Sequence, residues 1–251
     1  MALNGFNFSR AIGGPTKGLR IDHAGQLAEV LACASRAPMR FEVPLTMVAS
    51  EGAFAFASGW HPFVAAITGG PDILAQFYDG FQPKSLADFY GLAEPEAGHL
   101  GPRKLPWLLP PRPYRGEKGL GPEHGLSLFG PCTAAKVALE HSRLTQIVAS
   151  IAAKGYLPDR LGDITGYFLV RRDEFRFVVR GGKHRAAALA AAGWSHLPVR
   201  LKPGWVPAVS PDTIAEWPLV HSGGLAAPLA QCVFDRYFDW NGTQQHRRFV
   251  Q

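Results

Sequence analysis

Residues 175–189 read FRFVVRGGKHRAAAL, an aromatic and β-branched run that stops at a glycine pair and continues into an alanine-rich segment. The run has strand composition. Residues 167–171 (YFLVR) match it just upstream, and with Arg172, Asp173 and Glu174 between them the two predict a β-hairpin. Beyond the glycines, residues 185–192 predict a short helix stopped at Gly193, and residues 196–201 a further strand. A strand that ends in Gly181-Gly182 and turns at once into a helix can hold an anion. Glycine lets the backbone come close, and the first N–H groups of a helix have no acceptor within it. Lys183, His184 and Arg185 add a mobile point charge, an imidazole that donates or accepts, and a planar fork that grips two oxygens. A tight strand-to-helix turn with solvated basic side chains has the same composition.

Upstream of the hairpin, residues 133–154 predict a long helix ended by Gly155, with Val137, Leu144, Ile147, Val148 and Ile151 as its apolar stripe. Glu140 lies on this helix, one turn from Lys136 and Arg143. It is a candidate general base, or else a solvated surface glutamate. Residues 228–238 predict a last helix that buries Leu229, Val233, Phe234 and Tyr237.

Residues 94–125 carry seven prolines, at 95, 102, 106, 110, 111, 113 and 122, which forbid a long helix or a central strand. They predict a connector, packed in part through Trp107, Leu108, Leu109 and Tyr114. Residues 21–93 predict a mainly helical region: helices over 21–34, from Pro62, over 72–78 and over 85–90, with Asp72 and Ser85 as caps, and one strand over 41–48 whose Pro44 suits an outer position. Residues 1–20 have no sustained period and read as a flexible arm.

A longer pattern surrounds the turn: Gly130-Pro131, Glu140, Arg143-Leu144, Ser150-Ile151, Gly155 to Pro158, then Gly-Gly-Lys-His-Arg-Ala-Ala-Ala-Leu at 181–189, Gly193 and Pro198-Val199. Together these residues resemble the ParB/sulfiredoxin-like superfamily. The resemblance covers residues 129–201, within a domain placed at 126–251. It implies an α+β chain: a small mixed α/β domain whose turn holds nucleotide phosphates, preceded by the helical region. Lys183 stands where sulfiredoxins carry their reactive cysteine, which argues against sulfinic acid reduction. Gly181 stands where the superfamily's free serine kinases carry an Asp. Pro203, Pro207, Pro211 and Pro218 break up the stretch where a partition protein would need its DNA-binding helices.

What the resemblance leaves is nucleotide-dependent phosphotransfer to a small hydroxylated metabolite, with ATP or ADP as nucleotide, CTP also admissible, and Mg2+ on its phosphates. Gly181, Gly182, Lys183, His184, Arg185 and Arg143 would bind the nucleotide, and Glu140 and His184 would be catalytic, with Glu140 as base and Arg143 orienting it. No protein side chain is expected to ligate a metal; Asp159 and Asp163, just before the hairpin, could reach Mg2+ through water but read as solvated turn residues. The alternative is a non-catalytic nucleotide-binding switch. Gly59 to Phe63 and Phe234 to Phe238 resemble stand-alone bacterial members of the superfamily. Trp60 and His61 are candidates for a second-substrate pocket or for packing before a helix, and Ser222-Gly223-Gly224 for a second phosphate loop or a plain turn.

The whole chain of 251 residues is 47% hydrophobic and 18% charged, which suits a sizeable core, and its net charge of +6 suits an anionic ligand without marking a nucleic-acid binder. No nucleic-acid partner is expected. Cys33, Cys132 and Cys232 have no metal-ligand spacing and are expected to be free, buried thiols in a reducing compartment. With no signal-like or membrane-spanning stretch either, the expected location is cytoplasmic.

Overall fold

The computed structural model describes residues 19–34, 40–57, 61–92, 97–201 and 204–240. Its strands are β1 Leu19–Arg20, β2 Arg40–Pro44, β3 Val48–Ser50, β4 Phe54–Ala55, β5 Ile164–Arg171, β6 Glu174–Gly181, β7 His196–Leu201 and β8 Ala208–Val209. Its α-helices are α1 Ala24–Ala34, α2 Pro62–Gly69, α3 Pro71–Gly80, α4 Leu86–Tyr90, α5 Ala134–Lys154, α6 Pro158–Leu161, α7 Lys183–Ala191, α8 Pro218–His221 and α9 Ala227–Asp239. Most of the expected arm, together with Gly59, Trp60 and the Cys33 side chain, lies outside the described residues.

The eight strands form one mixed sheet in the order β1-β2-β7-β5-β6-β3-β4, with β8 beside the later part of β5. The molecule is α+β. The predicted hairpin is its centre: β5 and β6 pair antiparallel from Thr165 opposite Gly181 to Arg171 opposite Glu174, joined by Arg172 and Asp173. Tyr167 and Phe168 are adjacent in β5, point to opposite faces, and are both fully buried, so both faces of the sheet are covered. On the Tyr167 side its hydroxyl accepts a hydrogen bond from Trp107 Nε1 at 2.9 Å, and Trp107 packs on Phe234 and Tyr237 of α9. The connector is thereby part of the core. The other layer is α2, α3, α5 and α7, which pack on one another, with α7 lying against β5 and β7.

Three expectations need correcting in the first region. Residues 41–48 are two strands, because Pro44 lacks an N–H to continue the ladder and a 3-10 turn, Leu45–Met47, redirects the chain. β2 pairs antiparallel with β7 and β3 pairs parallel with β6, so Pro44 ends an inner strand. The region keeps its helices α1 to α4, and its three strands β2 to β4 join the sheet beside them. Asp72 does not cap α3, which starts at Pro71 after Gly70, whereas Ser85 Oγ accepts from Asp88 N at the start of α4.

One further correction concerns the cysteines. Cys232 is exposed, and Cys132 is partly buried, its thiol donating to Leu126 O at 3.1 Å and pushed by burial to a pKa of about 11. Ser222-Gly223-Gly224 is a turn in which Gly224 N donates back to Leu219 O at 2.9 Å. Among the described residues no helix is long and apolar enough to cross a membrane.

Candidate functional site

At the end of β6 the backbone reverses through Gly182, whose φ of 79° places it in the left-handed region as the residue that opens α7. The helix begins at Lys183, two residues earlier than the alanine run suggests. Ala186 N donates to Gly182 O at 2.9 Å, closing the first turn, so the N–H groups of His184 and Arg185 have no acceptor within the helix. Small buried residues, Ala186 to Ala188, let α7 approach α2 and α5 closely.

The basic side chains here have partners. Lys183 Nζ lies 3.2 Å from Glu51 Oε2, and Arg180, the last charged residue of β6, contacts Glu51 Oε1. Arg185 donates through Nη1 to Gly162 O at 2.8 Å and to Leu161 O, tying the first turn of α7 to the end of α6. Asp163 accepts from Arg40 at 2.6 Å and Arg200 at 3.1 Å, and Asp159 accepts from Arg40 at 2.6 Å. Both aspartates are thus held by arginines, and among the described residues no group of three His, Cys, Asp or Glu could hold a metal ion.

His184 points the other way, into the helical layer. Its Nε2 lies 2.5 Å from Glu140 Oε2; a carboxylate only accepts, so Nε2 carries a proton. The ring stacks on Phe63 of α2 with centroids 4.7 Å apart. Nδ1 makes no hydrogen bond among the described residues, and the side chain is 20% exposed. One position of the turn thus carries an imidazole oriented by a buried carboxylate.

Glu140 is fully buried, and so is Lys136 one turn before it. The predicted apolar stripe of α5 holds at Leu144, Val148 and Ile151, but carried back in steps of four it meets Glu140 and Lys136 instead of Val137, which is only partly buried. The carboxylate survives because both oxygens have donors: His184 on Oε2, and on Oε1 Ser127 Oγ at 2.8 Å and Lys136 Nζ at 2.6 Å, with Arg143 Nη1 3.4 Å away. Glu117, from the connector, contacts both Lys136 and Arg143 and accepts from Tyr114 at 3.2 Å. Two carboxylates and two cations balance, as burial of charge requires. Burial alone would raise the pKa of Glu140; the hydrogen bonds and charges of His184 and Lys136 outweigh it and bring it to about 2. The same bonds raise Lys136 against the effect of burial.

Glu51 and His61 complete the surroundings. The parallel register sets Ser50 opposite Val179, which delivers Glu51 beside Arg180. The chain then turns sharply through Gly52 (φ 81°) and Ala53 (φ 57°), the second a non-glycine in the left-handed region at a cost of about 1–2 kcal/mol. His61 is buried, stacked on Phe56 at 4.1 Å; Nδ1 accepts from Phe63 N at 3.2 Å and Nε2 faces Ser50 Oγ at 3.1 Å. Burial and the charges of Lys183 and His184 push its pKa well down, so it stands as a neutral packing and capping residue.

The structure brings Glu140, His184, Arg143 and Lys183 into one neighbourhood, together with Glu51, Glu117, Lys136 and Ser127, which sequence reasoning missed. Lys136 and Glu140 had a signal, their four-residue spacing from Leu144. Glu51 had none, since only strand pairing brings it there. Comparison with protein-family models, with curated proteins and with solved structures finds no match in any of the three.

Proposed function

We propose that the turn at residues 181–185 binds the phosphates of a nucleotide and that His184 takes the proton from a hydroxyl of a small metabolite as a phosphoryl group is transferred to it. The carrying observation is the His184–Glu140 pair: an imidazole held by a buried carboxylate, its second nitrogen without a hydrogen bond among the described residues, at the N-terminus of a helix between Lys183 and Arg185. The fold assignment that goes with this reading is ParB/sulfiredoxin-like.

In this reading the backbone N–H groups of His184 and Arg185, with Lys183, hold phosphate oxygens, and Gly182 keeps the backbone open to them. The proton acceptor is His184 Nδ1. Glu140, with its oxygens occupied and a pKa of about 2, is too weak a base for the role the sequence suggests; it fixes the imidazole's tautomer and stabilises the imidazolium. Arg143 and Lys136 keep Glu140 charged. Mg2+ would come with ATP or ADP on the phosphates, because the nearby carboxylates of Glu51, Glu140 and Asp163 are all taken by cations.

A second reading, a nucleotide-binding switch without catalysis, is favoured by the pairing of Lys183 with Glu51 and of Arg185 with the Leu161 and Gly162 carbonyls. A phosphate claiming those cations would release β3 and α6 from the turn and so change the surface. Thermal unfolding with ATP, ADP, CTP and GTP, with and without Mg2+, tests both, since a ligand of the folded state raises its apparent stability. We expect one nucleotide to raise Tm in the wild type and in His184→Ala but not in Arg185→Ala. Slow consumption of that nucleotide by the wild type, lost in His184→Ala, marks phosphotransfer, and binding without consumption marks the switch. No rise with any nucleotide would sink both.

A further inference from the structure

A second recess lies between the connector, the segment before β8 and the segment before α8, with a volume of about 890 Å³, the size of a small-molecule site. Its walls are aromatic and cationic. Trp205 lies under the guanidinium of Arg180 at 4.9 Å, and Trp217 stands edge-on to Trp107 at 5.3 Å. The indole N–H of Trp217 is buried and has no acceptor among the described residues. At the rim stand Leu109, 78% exposed, and Val206, 51% exposed, two of the few large apolar side chains open to water among the described residues.

The charges are unbalanced. Arg180 has Glu51, but the side chains of Arg103 and Arg112, which also line the recess, make no ion pair or hydrogen bond among the described residues. Arg103 is half-buried, and burial without a carboxylate beside it holds its pKa below the usual value for arginine. The one carboxylate in the wall, Glu216, is exposed and bonds to neither arginine. A half-buried guanidinium with no acceptor among the described residues, in a wall that also carries the indoles of Trp205 and Trp217, is the complement of a flat ring that carries negative charge.

We propose that this groove binds a planar aromatic anion, with its ring against Trp205 and Trp217 and its carboxylate or phosphate on Arg103. The proposal is independent of the phosphate turn. Four probes test it by titration calorimetry on the full chain: indole-3-carboxylate, AMP, neutral indole and the aliphatic anion hexanoate. We expect indole-3-carboxylate or AMP to bind at one site, and indole and hexanoate to bind at least about tenfold more weakly. The first two also tell carboxylate from phosphate. Arg103→Ala should weaken the favoured probe by about tenfold and Arg103→Glu abolish its binding, both with unchanged Tm because Arg103 holds no other group, while Arg185→Ala should bind as the wild type does. The proposal fails if neither aromatic anion binds, if indole binds as well as its carboxylate, or if Arg103→Ala binds unchanged. AMP binding that survives Arg103→Ala and disappears in Arg185→Ala belongs to the turn and also counts against it.

Discussion

Lys136 is the residue whose loss should be felt most. Its ammonium is fully buried between Glu140 and Glu117, and a buried ion pair stripped of one partner leaves the other charge in a medium that cannot solvate it. We expect Lys136→Ala to lose about 3–5 kcal/mol in urea unfolding, and Lys136→Met, which fills the space but not the charge, to lose nearly as much. A loss under about 1 kcal/mol would mean that the network is solvated after all. Glu140 adds a pH dependence. Its folded pKa of about 2 lies below the ordinary 4.5, so its contribution to stability is full above pH 5 and lost as pH falls toward 2. Unfolding free energy measured from pH 6 to pH 2.5 should therefore fall more steeply in the wild type than in Glu140→Gln.

Among the elements, α5 carries the candidate site and depends on its first turn. Thr133 Oγ1 accepts from Lys136 N at 3.3 Å and faces His124 Nδ1 at 2.8 Å, so it both caps the helix and ties it to the connector. Thr133→Ala should lower stability by about 1 kcal/mol in urea unfolding. The elements most legible in the sequence were those decided locally: the β5–β6 hairpin from alternating aromatic and branched residues, α5 from its stripe and caps, and the glycine turn from residues adjacent in the chain. Local rules also explain the misses. A stripe read for apolar residues passes over Lys136 and Glu140, because hydrophobic period cannot tell a paired, buried charge from a solvated one.

For the whole molecule, the sheet unites what composition divides. Residues 126–251 alone would leave β7 without β2, β6 without β3, His184 without Phe63 and Tyr167 without Trp107. We expect a fragment of those residues to lack a cooperative unfolding transition, and the full chain to show a single one by circular dichroism in urea. A fragment that unfolds cooperatively would establish the second half as a domain of its own. Glu51 was illegible for the same reason, since nothing within thirty residues of it predicts a partnership with Lys183.

That partnership spans 132 residues, and it sets a timetable for a chain made from its N-terminus onward. At about 5–20 residues per second, β3 waits on the order of ten seconds before β6 has even been synthesised. Throughout that interval the nascent first half carries unpaired strand edges and the apolar faces of α2 and α3, the kind of surface on which chaperones act. Newly made protein should therefore depend on such help more than purified protein refolding from urea, where both halves are present from the start.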